Sequence, residues 1–423
     1  MAKVKRPAAK PKAKAANAAL KRPAALKRPA ALKAKPTSLK TQYVLVSAYT
    51  QKMGHVMSPR VEEAKGITVF RREPDREGSS FGKLVYHWSC TDFPCPTYMC
   101  CNRARTRIYT VSEVAEEGTL SAYAFDAKSG QLTLLNSALT GGPIACHVSL
   151  SRNERTLAVA NYGGSVALFK VNANGRISHR TELVKHESLG VGVNKDRQEG
   201  PHPHMACLDK RNKFLLVPDL GLDRVMTYSL STGERVGTLK SAGRLSLPPG
   251  SGPRHLALHP ASNRAYVLNE LLSTVVTCDY NVVSGELTAL QTVDAVPGSP
   301  PVGVDGQTFC SAIRVSGDGK FVYVSNRGHC SISVFEVDEG LTLRSCTLTA
   351  EGEVFGDAPL GCQWPPRNCP RDFALCDKDR WAIVGNQDSD SVVVLARDAS
   401  TGALSPTGVW VECAAPACVL PLF

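Results

Sequence analysis

Several apolar runs in this chain end in residues that could bind an anion or move a proton. "GPHPH" carries His202 and His204, "GPRH" carries Arg254, "LNEL" carries Glu270 and "SNRGH" carries Arg327. Arg371 and Gln387 flank the last long aliphatic run, and "PDLGLDRV" adds Asp219 and Arg224. Arginines fix carboxylate or phosphate oxygens through paired N–H donors. A histidine or glutamate held beside them takes or gives a proton, an effect worth about 10²–10⁴-fold in rate. The one GxSxG match, "GSSFG" at 78–82, lies in no strand–turn–helix pattern, so nothing points to a serine acyl-enzyme. These side chains are scattered over some 190 positions, and only a fold that returns to one point repeatedly could bring them together.

The sequence contains such a return. The pattern strand, Asx/Gly turn, aliphatic strand, polar marker, Gly/Ser turn, alternating strand appears at 147–171 ("HVSLSRNERTLAVANYGGSVALFKV") and again around Asp219. It recurs at 254–280, 312–337 and 371–397, with weaker copies at 43–70 and 98–125. The marker falls at Glu113, Asn161, Asp219, Asn269, Asn326 and Asn386, and "SGQL", "SGEL" and "TGAL" separate units as turn signals. About four short strands per unit, in seven units with almost no helical periodicity, predict an all-β, seven-bladed β-propeller. The first unit lacks its innermost strand. "PACVLPLF" (416–423) resembles the inner segment "PIACHVSL" of another unit, so the C-terminal strand is expected to close the first blade and remove an open edge.

Equivalent positions of successive blades form rings about the axis. Fifteen residues before the marker the ring reads Tyr98, Cys146, His204, Arg254, Ser311, Arg371; one residue after it reads Val114, Tyr162, Leu220, Glu270, Arg327, Gln387. Blades four to seven therefore enrich one side of the channel in His, Arg and Glu. His204 and Asp219 are expected to open onto a shared axial site beside His202. Asp219 is also read as bonding backbone amides at its turn, and the marker asparagines as turn residues. Arg314 and His255 follow motifs but are given no direction; His147 and His329 are read as structural.

Charge divides the chain in two. Net charge is +12, yet residues 1–40 hold thirteen Lys and Arg and no acid, so the other 383 residues sum to 12 − 13 = −1. Residues 1–40 ("KRPAALKRPAALKAKP") are expected to be a disordered Lys/Arg/Pro/Ala tail, and 41–423 the propeller. Nucleic acid is a candidate partner for the tail alone. No secretory signal or 18-residue apolar run is present, so no membrane partner is expected; the predicted location is cytoplasmic, with nuclear or organellar targeting through the tail as the alternative. The fifteen cysteines lack matched CxxC pairs, so neither a zinc site nor a disulfide framework is predicted, and no cofactor is expected.

"EGPHPH", "PDLGLDRV", "GSGPRHLALHP", "YVLNEL", "VYVSNRGH" and "NQDSDSVVV", in this order over roughly 41–423, resemble the seven-bladed lactonase family, which includes 6-phosphogluconolactonase and carboxy-cis,cis-muconate cyclase types. The resemblance implies a metal-free site in the central channel. By motif it falls on His202 or His204, Arg254, Glu270 and Arg327. On this reading His202, His204, Glu270 and Arg254 are the catalytic candidates, and Arg327, Arg371 and Gln387 bind substrate. The implied activity is hydrolysis of a sugar-acid lactone, foremost 6-phosphogluconolactone. A muconate-type cycloisomerase and a non-catalytic binding platform with a nucleic-acid-binding tail are the alternatives. Residues 71–107 match the family pattern poorly, so blade two is expected to be irregular.

Overall fold

In the computed structural model the described residues are 41–75, 79–188, 190–231, 237–296, 307–348 and 369–423. They form seven four-stranded antiparallel sheets. Blade two, for example, runs Pro96–Cys101, Arg107–Ser112, Glu117–Asp126 and Gln131–Pro143 from the axis outward, and blade five runs Pro253–Leu258, Arg264–Asn269, Thr274–Tyr280 and Leu287–Asp294. The only helix among the described residues is the 3₁₀ turn Val61–Glu63.

The burial pattern explains why the sheets stack into a ring. Second strands such as Thr156–Asn161 and Trp381–Asn386 are buried at every position, because both faces meet neighbouring blades. Outermost strands such as Leu404–Glu412 alternate toward solvent. The apolar clusters sit between blades rather than within them. Val44, Val46 and Phe70 of blade one pack on Ile383, Val392 and Val394 of blade seven. Tyr109 and Val111 of blade two meet Leu157 and Phe169 of blade three. Leu216 and Val225 of blade four meet Val267 and Val276 of blade five. The remaining junctions are filled in the same way, so the ring closes on itself. Each fully buried Leu, Val or Phe contributes about 1.5–3 kcal/mol.

Closure is made as the sequence predicts. Pro416–Pro421 pairs antiparallel with Gln42–Ala48 and becomes the innermost strand of blade one. Blade two, expected to be irregular, is a complete four-stranded sheet whose register shifts at Pro96/Tyr98, Glu117/Thr119 and Ala122/Tyr123. The poorly matching segment is divided between Lys83–Cys90, the outer strand of blade one, and Pro96–Cys101, the inner strand of blade two.

The irregular inner strand belongs instead to blade four, where only Cys207–Leu208 is laddered. Pro201 and Pro203 have no N–H to donate, so the "PHPH" backbone holds on through His204 N to Pro218 O (3.0 Å) and Leu220 N to His202 O (2.9 Å). That break lets two histidines share the inner edge of one blade.

The marker asparagines bridge their hairpins. Asn161 Nδ2 donates to Ser165 Oγ (3.0 Å), Asn269 to Thr274 (2.9 Å), Asn326 to Ser331 (3.0 Å) and Asn386 to Ser391 (3.2 Å). Their turn role is therefore met through a side-chain hydroxyl.

Candidate active site

The axial site is organised around one carboxylate. Glu270 follows the second strand of blade five and is 1% exposed. Its Oε1 accepts from Arg197 Nη2 at 2.8 Å and lies 3.0 Å from Arg327 Nη2. Its Oε2 lies 3.0 Å from Arg254 Nε and 3.9 Å from His204 Nε2. Burial pulls the Glu270 pKa upward, but Arg327, Arg197 and Arg254 together outweigh it and hold the carboxyl well below its usual range. Burial and the neighbouring Arg327 lower Arg254 to about 10, with Glu270 opposing them.

Arg371 lies across the channel. Its guanidinium sits over the Tyr49 ring, 4.9 Å from the centroid, and donates to the Tyr49 hydroxyl. That hydroxyl lies 3.1 and 3.0 Å from the two oxygens of a second buried carboxylate, Glu113, which also accepts from Thr97 Oγ1 at 2.6 Å. Gln387 is buried, and its Nε2 bonds His55 O (3.2 Å) and Asp388 Oδ1 (2.8 Å). Between the two halves is a cavity of about 10 Å³, room for one water, lined by Glu113, His204, Arg254, His255 and Arg371 among others.

The histidines differ sharply. His202 stacks on Tyr162 (centroids 4.1 Å apart, planes at 11°), donates from Nδ1 to Tyr162 O at 2.9 Å and has Nε2 3.0 Å from Glu199. His204 lies deeper, edge-on to Tyr162 and to His255. Burial, then Arg254, push its pKa well below the ordinary value, so it is neutral near pH 7. His255, whose direction the motifs leave open, faces the axis, with its ring 5.6 Å from those of both His204 and His147 and its Nε2 3.2 Å from Arg254 Nη1.

Four of the seven candidates, His204, Arg254, Glu270 and Arg327, meet directly. Arg371 and Gln387 form the facing wall, and His202 forms a side wall through Tyr162. Asp219 differs from expectation in one respect. It bonds the amides of His202 (2.7 Å) and Leu222 (3.1 Å) as a turn residue, but His186 Nδ1 takes its other oxygen at 2.5 Å. Fully buried and fully engaged, it positions the histidine loop and has no oxygen free for the channel. Arg314 pairs with Asp372 (2.6 Å). Sequence reasoning missed Arg197, Tyr49, His55 and Glu113. Arg197 lies in a loop outside the repeat, Tyr49 and His55 in the connection within its weak first copy, and Glu113 is read from the sequence only as a marker, although its acidic side chain sets it apart from the asparagines.

Several site atoms are buried without a hydrogen-bond partner among the described residues: Arg254 Nε, Glu270 Oε2, Arg327 Nε, Arg371 Nη1 and Gln387 Oε1. Arg254 Nε and Glu270 Oε2 are close but not aligned as a hydrogen bond. Buried polar atoms are rarely left unpaired, and these donors and acceptors converge on one channel. No cluster of His, Cys, Asp or Glu among the described residues could hold a metal ion.

A seven-bladed ring with an Arg/Glu/His hub is the architecture of a lactonase propeller. The family model for the lactonase seven-bladed β-propeller matches residues 43–421, and the chain belongs to that family. Bacillus subtilis 6-phosphogluconolactonase is 33% identical over 373 residues, 88% of this chain and 98% of that protein. Among solved structures, a Bacteroides fragilis protein described as a candidate 6-phosphogluconolactonase superposes with a TM-score of 0.75 at 26% identity, covering 92% of this chain and all of that one. A periplasmic gluconolactonase of Pseudomonas aeruginosa gives a TM-score of 0.77 at 28% identity, covering 90% and 99%.

Proposed function

We propose that this chain hydrolyses 6-phosphogluconolactone to 6-phosphogluconate in the central channel. The observation that carries the reading is uncompensated positive charge. Arg197, Arg254, Arg327 and Arg371 face Glu270 and Glu113, so these six side chains sum to 4 − 2 = +2. A phosphomonoester carries about −1.5 to −2 at pH 7 and offers three acceptor oxygens. It would neutralise the site and occupy the unpaired N–H groups that a neutral sugar lactone leaves open.

Roles follow from the geometry. Glu270 binds three guanidiniums, and its very low pKa makes it a weak base, so it orders the arginines. Arg254 and Arg327 are placed to stabilise the oxyanion formed when water adds to the lactone carbonyl. Arg371 and Gln387 complete the opposite wall. The proton of the attacking water goes to a neutral imidazole.

The test compares 6-phosphogluconolactone with unphosphorylated gluconolactone, following acid release and correcting for spontaneous hydrolysis. A kcat/KM at least 10²-fold higher for the phosphorylated lactone is expected, about 3 kcal/mol of extra transition-state binding. Equal rates on both lactones would remove the phosphate assignment, and no rate above background on either would remove the lactonase reading.

A further inference from the structure

We propose that His55, in the loop that blade one extends over the channel, is the general base of the hydrolysis, oriented by Tyr49 and Glu113. The inference rests on the lactone-hydrolysis reading above. A general base needs a nitrogen that water can reach and a partner that fixes its tautomer. Neither histidine singled out in the sequence offers both. His202 has Nδ1 committed to Tyr162 O, and its Nε2, 3.0 Å from Glu199 but not aligned as a hydrogen bond, is buried where water does not reach it. His204 is 7% exposed, with Nδ1 turned toward Cys146 Sγ at 3.9 Å and Nε2 toward Glu270.

His55 offers both. Its Nε2 lies 3.1 Å from the Tyr49 hydroxyl. The one hydroxyl proton of Tyr49 goes to Glu113, at 3.0–3.1 Å, so the hydroxyl accepts from His55 as it does from Arg371. The proton of the neutral imidazole is thereby fixed on Nε2, and Nδ1, which has no partner among the described residues, keeps its lone pair. Base, hydroxyl and carboxylate repeat the logic of a base oriented by a third group. The ring packs edge-on to Tyr49, and its backbone carbonyl is tied to Gln387. The residue is exposed.

The charged groups facing it are Arg371, Arg327 and Arg197, opposed by Glu270, with Tyr49 and Glu113 beneath and Asp388 beyond Gln387. Part of the ring reaches solvent, but it is sunk among the channel walls. That recessed setting, with the three arginines, holds its pKa well below the ordinary value and keeps it unprotonated at neutral pH.

The step balances. Water gives a proton to His55 Nδ1 while its oxygen bonds the lactone carbonyl carbon, and the carbonyl pair moves onto oxygen beside Arg254 and Arg327. The tetrahedral adduct collapses, the acyl carbon–ring oxygen bond breaks, and the His55 proton passes to the leaving alkoxide. The product is the open hydroxy acid, which ionises.

The experiment measures kcat and KM of wild type, His55→Ala, Tyr49→Phe and His204→Ala on 6-phosphogluconolactone, with and without added imidazole. His55→Ala is expected to lose about 10²–10⁴-fold in kcat with KM within threefold, and imidazole to restore part of that loss. Imidazole reaches an exposed site and would not repair a merely structural defect. Tyr49→Phe keeps the imidazole but loses its orientation; kcat is expected to fall at least tenfold with no imidazole rescue. His55→Ala within threefold of wild type, or a loss that imidazole leaves untouched, would overturn the assignment while leaving the lactonase reading intact. Absence of wild-type turnover would end both.

Discussion

The hub carboxylate provides a demanding test. Glu270→Gln keeps the shape of the side chain and removes its charge, stranding Arg254, 4% exposed, and Arg327 without a counter-charge. Arg197, about a third exposed, adds little because solvent screens it. Removing one partner of a buried ion pair costs about 3–5 kcal/mol, and that is the loss expected at pH 7. The pH dependence gives the test a sign. Glu270 has its folded pKa depressed below 4.5, so its contribution is full above about pH 4.5 and fades as pH falls through the lower folded value. The gap between wild type and Glu270→Gln, read by denaturant unfolding, should be flat from pH 8 to 5 and narrow in acid. Inorganic phosphate should stabilise the variant at least as much as wild type, because an anion can take the vacated place among the arginines. A variant as stable as wild type at pH 7, or a gap that widens in acid, would show that the guanidiniums are not organised by this carboxylate.

Three further outcomes follow. Deleting residues 416–423 removes the closing strand with buried Cys418 and Val419 and bares the edge of Gln42–Ala48; loss of several kcal/mol and concentration-dependent aggregation in light scattering are expected. Asp219→Ala strands the amides of His202 and Leu222, and a destabilisation of about 2–4 kcal/mol is expected in urea unfolding. Removing residues 1–40 should abolish retention on immobilised DNA, itself strongly salt-dependent in the full chain, while kcat on the lactone stays unchanged.

The fold was legible because its signal is repetitive. The marker residue, the turn dipeptides and the missing inner strand each recur or fail in register, so even ring closure by 416–421 could be read. The site was legible where it rides on the repeat: His204, Arg254, Glu270, Arg327, Arg371 and Gln387 occupy ring positions fixed by counting from the marker. Arg197 and His55 were not, since each reaches the axis from a loop whose course depends on tertiary contacts. Asp388 Oδ1 holds Met57 N and Asp390 holds Ser58, both more than 300 residues away in sequence. Blade two read as irregular because a boundary between two blades falls inside its poorly matching segment.

The seam between the two ends of the ring passes beside the hub. Tyr49 N is bonded to Ala415 O, Ala415 N to Asp390, and Arg371 reaches from blade seven to the Tyr49 of blade one. The Tyr49 side of the channel wall thus adjoins a strand that must zip onto one made some 370 residues earlier. A nascent or truncated chain can collapse blade by blade, but it has no finished pocket. Turnover would then report the last event of folding, and any premature stop near residue 415 would silence the protein outright rather than weaken it.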